Sequence, residues 1–246
     1  MLTIGIPRLP PVARDDSIAG LMENYFNYFT EIEEHFQRRR GSGLLLSTLD
    51  WALIETWKDS GIALEAVLRG IDSTFDRYDA RPSKTRKVNG LAFCSQEVLA
   101  AAEEMKEAAV GASSTSNRQT GLEGEQITAF LAKNSAAIGA AQLPPTAQPA
   151  ADEAASTLRE LVGVAGRVPL EDLERRLTVL EEKLFAALLA ATSNDDLLAV
   201  RTEADRDIAP YRRQMSAAQI EQLQRQYVRK RLLERYGVPR LSLFYM

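Results

Sequence analysis

The stretch "DWALIETWKDSGIALEAVLRGI", residues 50–71, contains two short apolar patterns separated by a glycine. On both sides of Gly61 the apolar residues recur at three- and four-residue steps, which is typical of amphipathic helices. Gly61 itself supplies the permissive backbone that a helix end requires. The residues "STLD" (47–50) resemble a capping box, with Asp50 where Glu or Gln is commoner. We therefore predict a helix, a tight turn and a second helix, which together resemble a helix-turn-helix.

Helical patterns continue on both sides of this hairpin. Residues 17–40 carry apolar side chains at helical spacing and end in three arginines before Gly41, all of which suit a helix C-terminus. After a basic loop, Asn89 can cap a fourth helix that runs toward Gly111. Residues 15–110 are thus predicted to form a four-helix unit, preceded by an N-terminal arm, residues 1–14.

The middle of the chain is predicted to be flexible. It contains two stretches rich in small residues and prolines, "GASSTSNRQTGLEGE" and "GAAQLPPTAQPAA", a composition typical of linkers. Between them, residues 126–138 can form one helix, whose short length makes it marginal by itself. We therefore predict residues 111–152 as a linker region with one short helix.

Long helices are expected in the C-terminal part. Leucines in residues 170–184 recur in three-four alternation, which suggests a short coiled coil. Two further helices follow, and Gly237 and Pro239 end the last of them. We predict a C-terminal helical region, residues 153–236, followed by an apolar tail, residues 237–246. Apart from "RLSLFYM" in this tail, no strand pattern of any length occurs, so the predicted fold class is all-α.

The charge of the chain is unevenly distributed. Residues 201–246 carry 10 basic and 5 acidic side chains, whereas residues 111–200 carry 7 and 12, although the net charge is only −4. This asymmetry bears more on partners than the total charge does. The lone cysteine cannot form an intramolecular disulfide, no signal peptide is evident, and no apolar run approaches the roughly 20 residues that cross a bilayer. We expect a cytoplasmic protein without a membrane partner.

The sequence contains no recognisable catalytic or metal-binding motif. His35 is the only histidine, and a metal site needs three or four converging ligands. Cys94 lies among Leu91, Phe93 and Val98, which favours a buried structural thiol over a nucleophile. Neither common phosphate-binding glycine loop is present. We expect no cofactor and no enzymatic activity, and an active site built from scattered carboxylates is the least favoured alternative.

Nucleic-acid binding by the hairpin itself is disfavoured, because the exposed face of its second helix offers Arg69 against Glu65 and Asp72, and a phosphate backbone repels such a face. Two basic clusters beside the hairpin are better candidates if the fold brings them together. Alternatively, each cluster only solvates a loop and complements a helix dipole. The two clusters comprise Arg38, Arg39 and Arg40, and Arg81, Lys84, Arg86 and Lys87.

One family resemblance covers about residues 49–99. Trp57, a glycine four residues later, anchors at Leu64, Val67 and Ile71, a polar loop and a further helix resemble the C-terminal helical module of DnaD-type replication-initiation proteins. The resemblance implies association with DNA and with the helicase-loading machinery. In that family the last helix carries an aromatic residue, an aliphatic residue and a tryptophan at four-residue spacing. Here the corresponding positions are Phe93, Glu97 and Ala101, so only the aromatic is retained.

The C-terminal part offers candidate surfaces for a protein partner or for self-association. The basic last helix has three alternative roles, which are packing on the acidic middle of the chain, binding phosphate, or binding an acidic protein. The apolar tail either tucks into the fold or docks on a neighbour. The candidate partner-binding residues are Leu173, Leu177, Leu180 and Leu184 in the seam, Arg225, Arg229 and Lys230 in the last helix, and Leu243, Phe244 and Tyr245 in the tail.

The sequence therefore favours a non-enzymatic binding or adaptor protein associated with nucleic acid, such as a replication accessory protein. The alternative is a protein–protein scaffold, assembling as a homo-oligomer or with another protein through the C-terminal helices and the tail.

Overall fold

A computed structural model of the chain describes residues 28–81, 87–109 and 124–246. Regular structure in these ranges is entirely helical, as predicted, and none of the helices is long and apolar enough to span a membrane. Short 3-10 helices cover Leu91–Phe93, Ala209–Gln214 and Leu243–Tyr245. The α-helices are α1 (Tyr28–Arg40), α2 (Thr48–Asp59), α3 (Leu64–Asp79), α4 (Ser95–Ala109), α5 (Gly124–Ala140), α6 (Gln148–Val162), α7 (Leu170–Ala191), α8 (Asn194–Ile208) and α9 (Ala217–Arg235).

Local sequence signals set most of the helix ends. At the start of α2, the Ser47 hydroxyl accepts a hydrogen bond from the Asp50 backbone N–H at 3.2 Å, and the Asp50 carboxylate accepts one from the Ser47 N–H at 3.1 Å. This reciprocal pair is the predicted capping box. Gly41 and Gly61 both adopt a φ of +69° directly after α1 and α2, the left-handed conformation that glycine allows at a helix end.

The two helices of residues 50–71 pack mainly against different partners. Helix α2 lies along α9, whereas α3 lies against α4 and α1. A Cβ atom at Gly70 would stand only 2.4 Å from the Cα of Val98, so α3 and α4 approach backbone to backbone. The stretch is thus helix, turn and helix as predicted, and each helix belongs to a different packed pair.

The predicted fourth helix begins later than expected. Asn89 does not cap it, because residues 91–93 form a 3-10 turn and α4 starts at Ser95. The cause lies 41 residues earlier, where the Asp50 carboxylate accepts a hydrogen bond from the Leu91 N–H at 2.6 Å. That bond holds Leu91 in the core, fully buried.

Two hydrophobic cores organise the described residues. The first lies among α1 to α4 and also includes Ala204 and Ile208 of α8 and Leu223 and Tyr227 of α9. The second lies among α5, α6 and α7 and includes Leu233 of α9. Helix α9 therefore contributes to both cores.

The middle of the chain contains the predicted short helix, and the connection that follows this helix is shorter than predicted. Residues 124–140 form α5, which packs along α6 through Ile127, Leu131 and Ile138. The proline-containing stretch is a short connection, and α6 starts at Gln148 rather than near residue 153. The small side chains of α6, such as Ala151 and Ala154, are buried against this core, so the alanine-rich composition reflects close packing rather than flexibility. The remainder of the predicted linker, residues 110–123, lies outside the described residues.

The apolar tail tucks into the fold between the two cores. Leu241 and Leu243 join the second core, and Phe244 joins the first. Two buried carboxylates of α7 hold the tail backbone, because Glu181 accepts from the Leu241 N–H at 2.6 Å and Glu174 accepts from the Leu243 N–H at 2.8 Å. Of the two predicted placements, the tail adopts the intramolecular one.

Candidate nucleic-acid interface

The three arginines that end α1 occupy different environments. Arg38 is exposed, and its nearest polar contact is the Nδ1 atom of His35 at 3.5 Å. Arg39 lies beside Asp72, at 3.4 Å, and Asp76 of α3, with its guanidinium 5.5 Å from the Phe75 ring. The charge of Arg39 is thus partly neutralised, whereas that of Arg38 remains available to solvent.

Arg40 connects α1 to two other segments. Its guanidinium donates hydrogen bonds to the backbone carbonyl of Asn89 at 3.2 Å and to those of Ser42 and Leu44 in the loop after α1. It also lies over the Phe36 ring at 5.1 Å. Because carbonyl partners carry no net charge, Arg40 keeps its positive charge while it fixes the loop and the segment at residue 89.

The second basic cluster flanks the segment that Arg40 holds. Lys87 is exposed two residues before Asn89, and Arg81 is exposed just after the end of α3, the helix that Arg39 contacts. Lys84 and Arg86, also predicted here, lie outside the described residues. The contacts of Arg39 with α3 and of Arg40 with Asn89 place the described segments that carry Arg81 and Lys87 beside the end of α1. We call Arg38, Arg40, Arg81 and Lys87 the basic end.

A buried carboxylate fixes the same segment from the core side. Asp50 accepts hydrogen bonds from Ser47 and from the Leu91 N–H. Burial raises the pKa of Asp50, and the hydrogen bonds from Ser47 and Leu91 and the positive charge of Arg40 only partly oppose this rise. Arg40 and Asp50 together hold residues 87–91 against α1 and α2.

Two leucines beside the basic end are exposed. Leu44 and Leu45 lie in the loop that Arg40 holds and are 68% and 85% exposed. Their position after "GSG" and outside any helical period is the sequence signal that marks them, and sequence reasoning did not assign them a role. The basic end thus presents apolar as well as cationic groups.

The predicted coiled-coil seam lies inside the protein. Leu173, Leu177, Leu180 and Leu184 of α7 are all buried in the second core. The exposed large apolar side chains of α7 among the described residues are instead Val179 and Leu189. The three-four alternation therefore reflects packing within one chain.

Three arginines of α9 pair with acidic residues of α7 and α8, whereas Arg225 pairs within α9 and Lys230 contacts α2. Arg229 binds Glu181 at 2.9 Å and also Glu182. Lys230 lies 3.8 Å over the Trp51 ring. Other pairs are Arg225 with Glu221, Arg231 with Glu203, and Arg235 with Asp196. Of the three predicted roles of this helix, packing on the acidic part of the chain is the one these contacts represent.

The predicted tail residues likewise contact the chain's own core. Leu243 and Phe244 are fully buried, and Tyr245 stacks on Trp51 with ring centroids 5.7 Å apart. Trp51 in turn stacks on Phe29 at 3.6 Å. The aromatic side chains of the tail therefore complete a cluster begun by α1 and α2.

No metal site or reactive thiol is evident in the described ranges. No group of three or more His, Cys, Asp or Glu residues there could hold a metal ion. His35 contacts Asp72 at 2.9 Å. Cys94 is fully buried, as predicted, and burial raises the pKa of its thiol to about 12.

Comparison with known proteins adds a family match that coincides with α1 to α4. A family model described only as an uncharacterised protein matches residues 23–114, which is less than half of the chain. The matched range contains the basic end and excludes the second core. No curated protein and no solved structure matches the chain.

Proposed function

We propose that the protein is a non-enzymatic, cytoplasmic adaptor that binds nucleic acid through the basic end. The observation that carries this proposal is the hydrogen bond from Arg40 to the Asn89 carbonyl, because it joins two basic clusters that are separated by some 40 residues of sequence. Phosphate backbones are bound by clustered Lys and Arg side chains whose charge is not cancelled by neighbours. Arg38, Arg81 and Lys87 are exposed, and none of them forms an ion pair with a described residue, so they fit this requirement.

The neighbouring leucines add apolar groups to this positively charged surface. Leu44 and Leu45 can contact bases or sugars while the cations contact phosphates, an arrangement found where apolar side chains wedge against bases. The DnaD-type resemblance of residues 49–99 points to the same class of partner. A replication accessory protein is the specific form of this proposal.

The proposal is tested with the full chain and a charge-matched control. Arg38, Arg81 and Lys87 are changed together to Glu, and Arg167, Arg175 and Arg176, three exposed arginines around the start of α7, are changed to Glu in a second variant. Binding to single- and double-stranded DNA and RNA is measured by fluorescence anisotropy between about 20 and 200 mM salt.

The wild type and the control variant are expected to bind with affinities that fall as salt rises. The first variant is expected to bind at least about tenfold more weakly, with a log–log salt slope on duplex DNA that is smaller by up to about three. Absence of salt-dependent binding by the wild type, or equal losses in both variants, would refute the proposal. Light scattering on the same samples tests the scaffold alternative, which requires the chain to form an oligomer.

A further inference from the structure

A pocket lies among α7, α8 and α9 and opens to solvent on one side. Its volume is about 550 Å³, which falls within the roughly 300–1,000 Å³ of small-molecule sites. Its lining is mainly apolar and is contributed by Phe185 and Leu189 of α7, Ala204 of α8 and Val228 of α9. No residue of the basic end lines the pocket, so the pocket is independent of the proposed function.

Two apolar side chains of the pocket wall are not used by either hydrophobic core. Leu189 is 37% exposed on α7, and Val228 is half-buried on α9. Neither side chain belongs to the first or the second core. Burial of such apolar surface by a ligand is favourable, because it removes the surface from water. Leu189 and Val228 therefore offer a concave apolar surface for the apolar part of a ligand.

The aromatic part of the wall is held by a matched arginine. The Arg229 guanidinium lies 4.9 Å from the centroid of the Phe185 ring and pairs with Glu181 at 2.9 Å. Burial alone would raise the pKa of Glu181, but the positive charges of Arg240 and Arg229 hold this pKa below its ordinary value. Arg229 thus positions Phe185, and its charge is used within the protein.

The two carboxylates that line the pocket are matched as well. Asp205 accepts hydrogen bonds from Arg212 and from the side-chain amide of Gln224, both at 2.5 Å. Glu221 pairs with Arg225 of the same helix at 2.8 Å. The negative charge in the wall is therefore balanced by neighbouring arginines, which lowers its repulsion of an anionic ligand.

One cation in the wall lacks such a partner. Arg201 lines the pocket from α8, is exposed, and forms no ion pair with a described residue. Asp205, one turn later on the same helix, is engaged by Arg212. A guanidinium presents several N–H donors in a planar fork that matches a carboxylate. We propose that the pocket binds a small amphipathic anion, an aliphatic carboxylate whose chain packs on Leu189 and Val228 and whose head group binds Arg201.

Decanoate is the probe, and decyltrimethylammonium is the control compound with the same chain length and the opposite charge. Isothermal titration of the full chain is carried out below the concentrations at which the two compounds form micelles. We expect saturable binding of decanoate only. Hexanoate is expected to bind at least about tenfold more weakly than decanoate, because it buries four fewer CH₂ groups.

Two glutamine variants test the role of the unpaired cation. Arg201→Gln is expected to weaken decanoate binding at least about fivefold, because it removes the charged donor for the carboxylate. Arg206→Gln is the matched control, since Arg206 is an exposed arginine of the same helix that does not line the pocket, and it is expected to leave the affinity unchanged. Both side chains are exposed, so neither change is expected to unfold the protein.

Four results would overturn this inference: no saturable binding of decanoate, equal binding of decyltrimethylammonium, equal binding of hexanoate, or equal affinities of the two glutamine variants. A wild-type crystal soaked with decanoate locates the site without any variant. Density for the carboxylate beside Arg201, with the chain along Leu189 and Val228, supports the proposal. Density for decanoate only at other places contradicts it.

Discussion

The two arginine-rich regions of this molecule use their charge in opposite ways. At the basic end, Arg40 donates to backbone carbonyls and Arg38 is exposed, so positive charge remains at the surface. In the C-terminal region, Arg229 and Arg240 meet the buried Glu181. Residues 201–246 have the larger excess of basic residues. Where Arg229 and Arg240 converge, however, their positive charge is matched by a buried carboxylate, so less charge is left unmatched there than at the basic end.

A run of basic residues therefore indicates a binding function only once the partners of its side chains are known. Arg229, Arg231 and Arg235 of α9 form ion pairs with acidic residues of α7 and α8, and these pairs hold the helices together. At the end of α1, Arg39 pairs with Asp72 and Asp76 of α3, whereas Arg38 and Arg40 form no ion pair with a described residue. The candidate binding surface is distinguished by the exposure of its basic side chains rather than by their number.

The largest expected effect comes from breaking the buried network. Glu181→Ala leaves Arg229, Arg240 and the Leu241 N–H without their shared acceptor, and we expect the free energy of unfolding to fall by about 3–5 kcal/mol. Asp76→Ala removes an exposed partner of Arg39, and this change is expected to cost less than about 0.5 kcal/mol. Urea denaturation monitored by circular dichroism measures both, and similar losses would contradict the contrast between the two regions.

The next effect separates two neighbouring arginines of the basic end. Arg40→Ala removes charged hydrogen bonds to three carbonyls and a contact with Phe36. We expect a loss of about 1–2 kcal/mol, discounted for partial exposure. Arg38→Ala is expected to leave the unfolding free energy within about 0.5 kcal/mol and to weaken DNA binding instead. If Arg38→Ala destabilises the protein as much as Arg40→Ala does, the assignment of separate roles is wrong.

The sequence was sufficient to predict the helical class and several helix ends, because these depend on neighbouring residues. The capping box at Ser47, the glycine turns and the start of α8 after Ser193 all act within a few positions. Their signals are legible without knowledge of the fold. The all-α class followed from the same local patterns.

Non-local contacts account for what the sequence did not predict. The early start of α6, at Gln148, was missed because the alanines of this helix carry little apolar signal, although Ala151 and Ala154 are buried in the second core. The pairing of Arg229 with Glu181 spans 48 residues, so no spacing rule reveals it. For the candidate site, sequence indicated both basic clusters, and only the contact of Arg40 with Asn89 brought them together.

A smaller effect is expected in the pH dependence of stability. The pKa of Glu181 is lowered from 4.5 in the fold, so its stabilisation is complete above pH 4.5 and is lost as the pH falls through the folded value. The pKa of Asp50 is raised from 3.8, so its contribution is complete below pH 3.8 and is lost as the pH rises through the folded value.

Glutamine and asparagine variants separate these two slopes. Glu181→Gln is expected to reduce the loss of stability below pH 4.5, whereas Asp50→Asn is expected to reduce the loss that develops above pH 3.8. Urea unfolding from pH 3 to 7 gives the slope of the unfolding free energy against pH for each protein. These slopes, rather than the absolute stabilities, are compared. Identical pH profiles for the wild type and both variants would show that the fold neither lowers the pKa of Glu181 nor raises that of Asp50.

The smallest expected effect on stability contrasts two leucine pairs. Leu44 and Leu45 are exposed beside the basic end, whereas Leu241 and Leu243 are fully buried in the second core. Changing the exposed pair to serine should alter the unfolding free energy by less than about 0.5 kcal/mol, the smallest change expected among these variants. If the exposed pair contacts nucleic acid, its serine variant should bind single-stranded DNA about threefold more weakly, a loss that salt does not alter because it is not electrostatic. Unchanged affinity in that variant would restrict the interface to the cations.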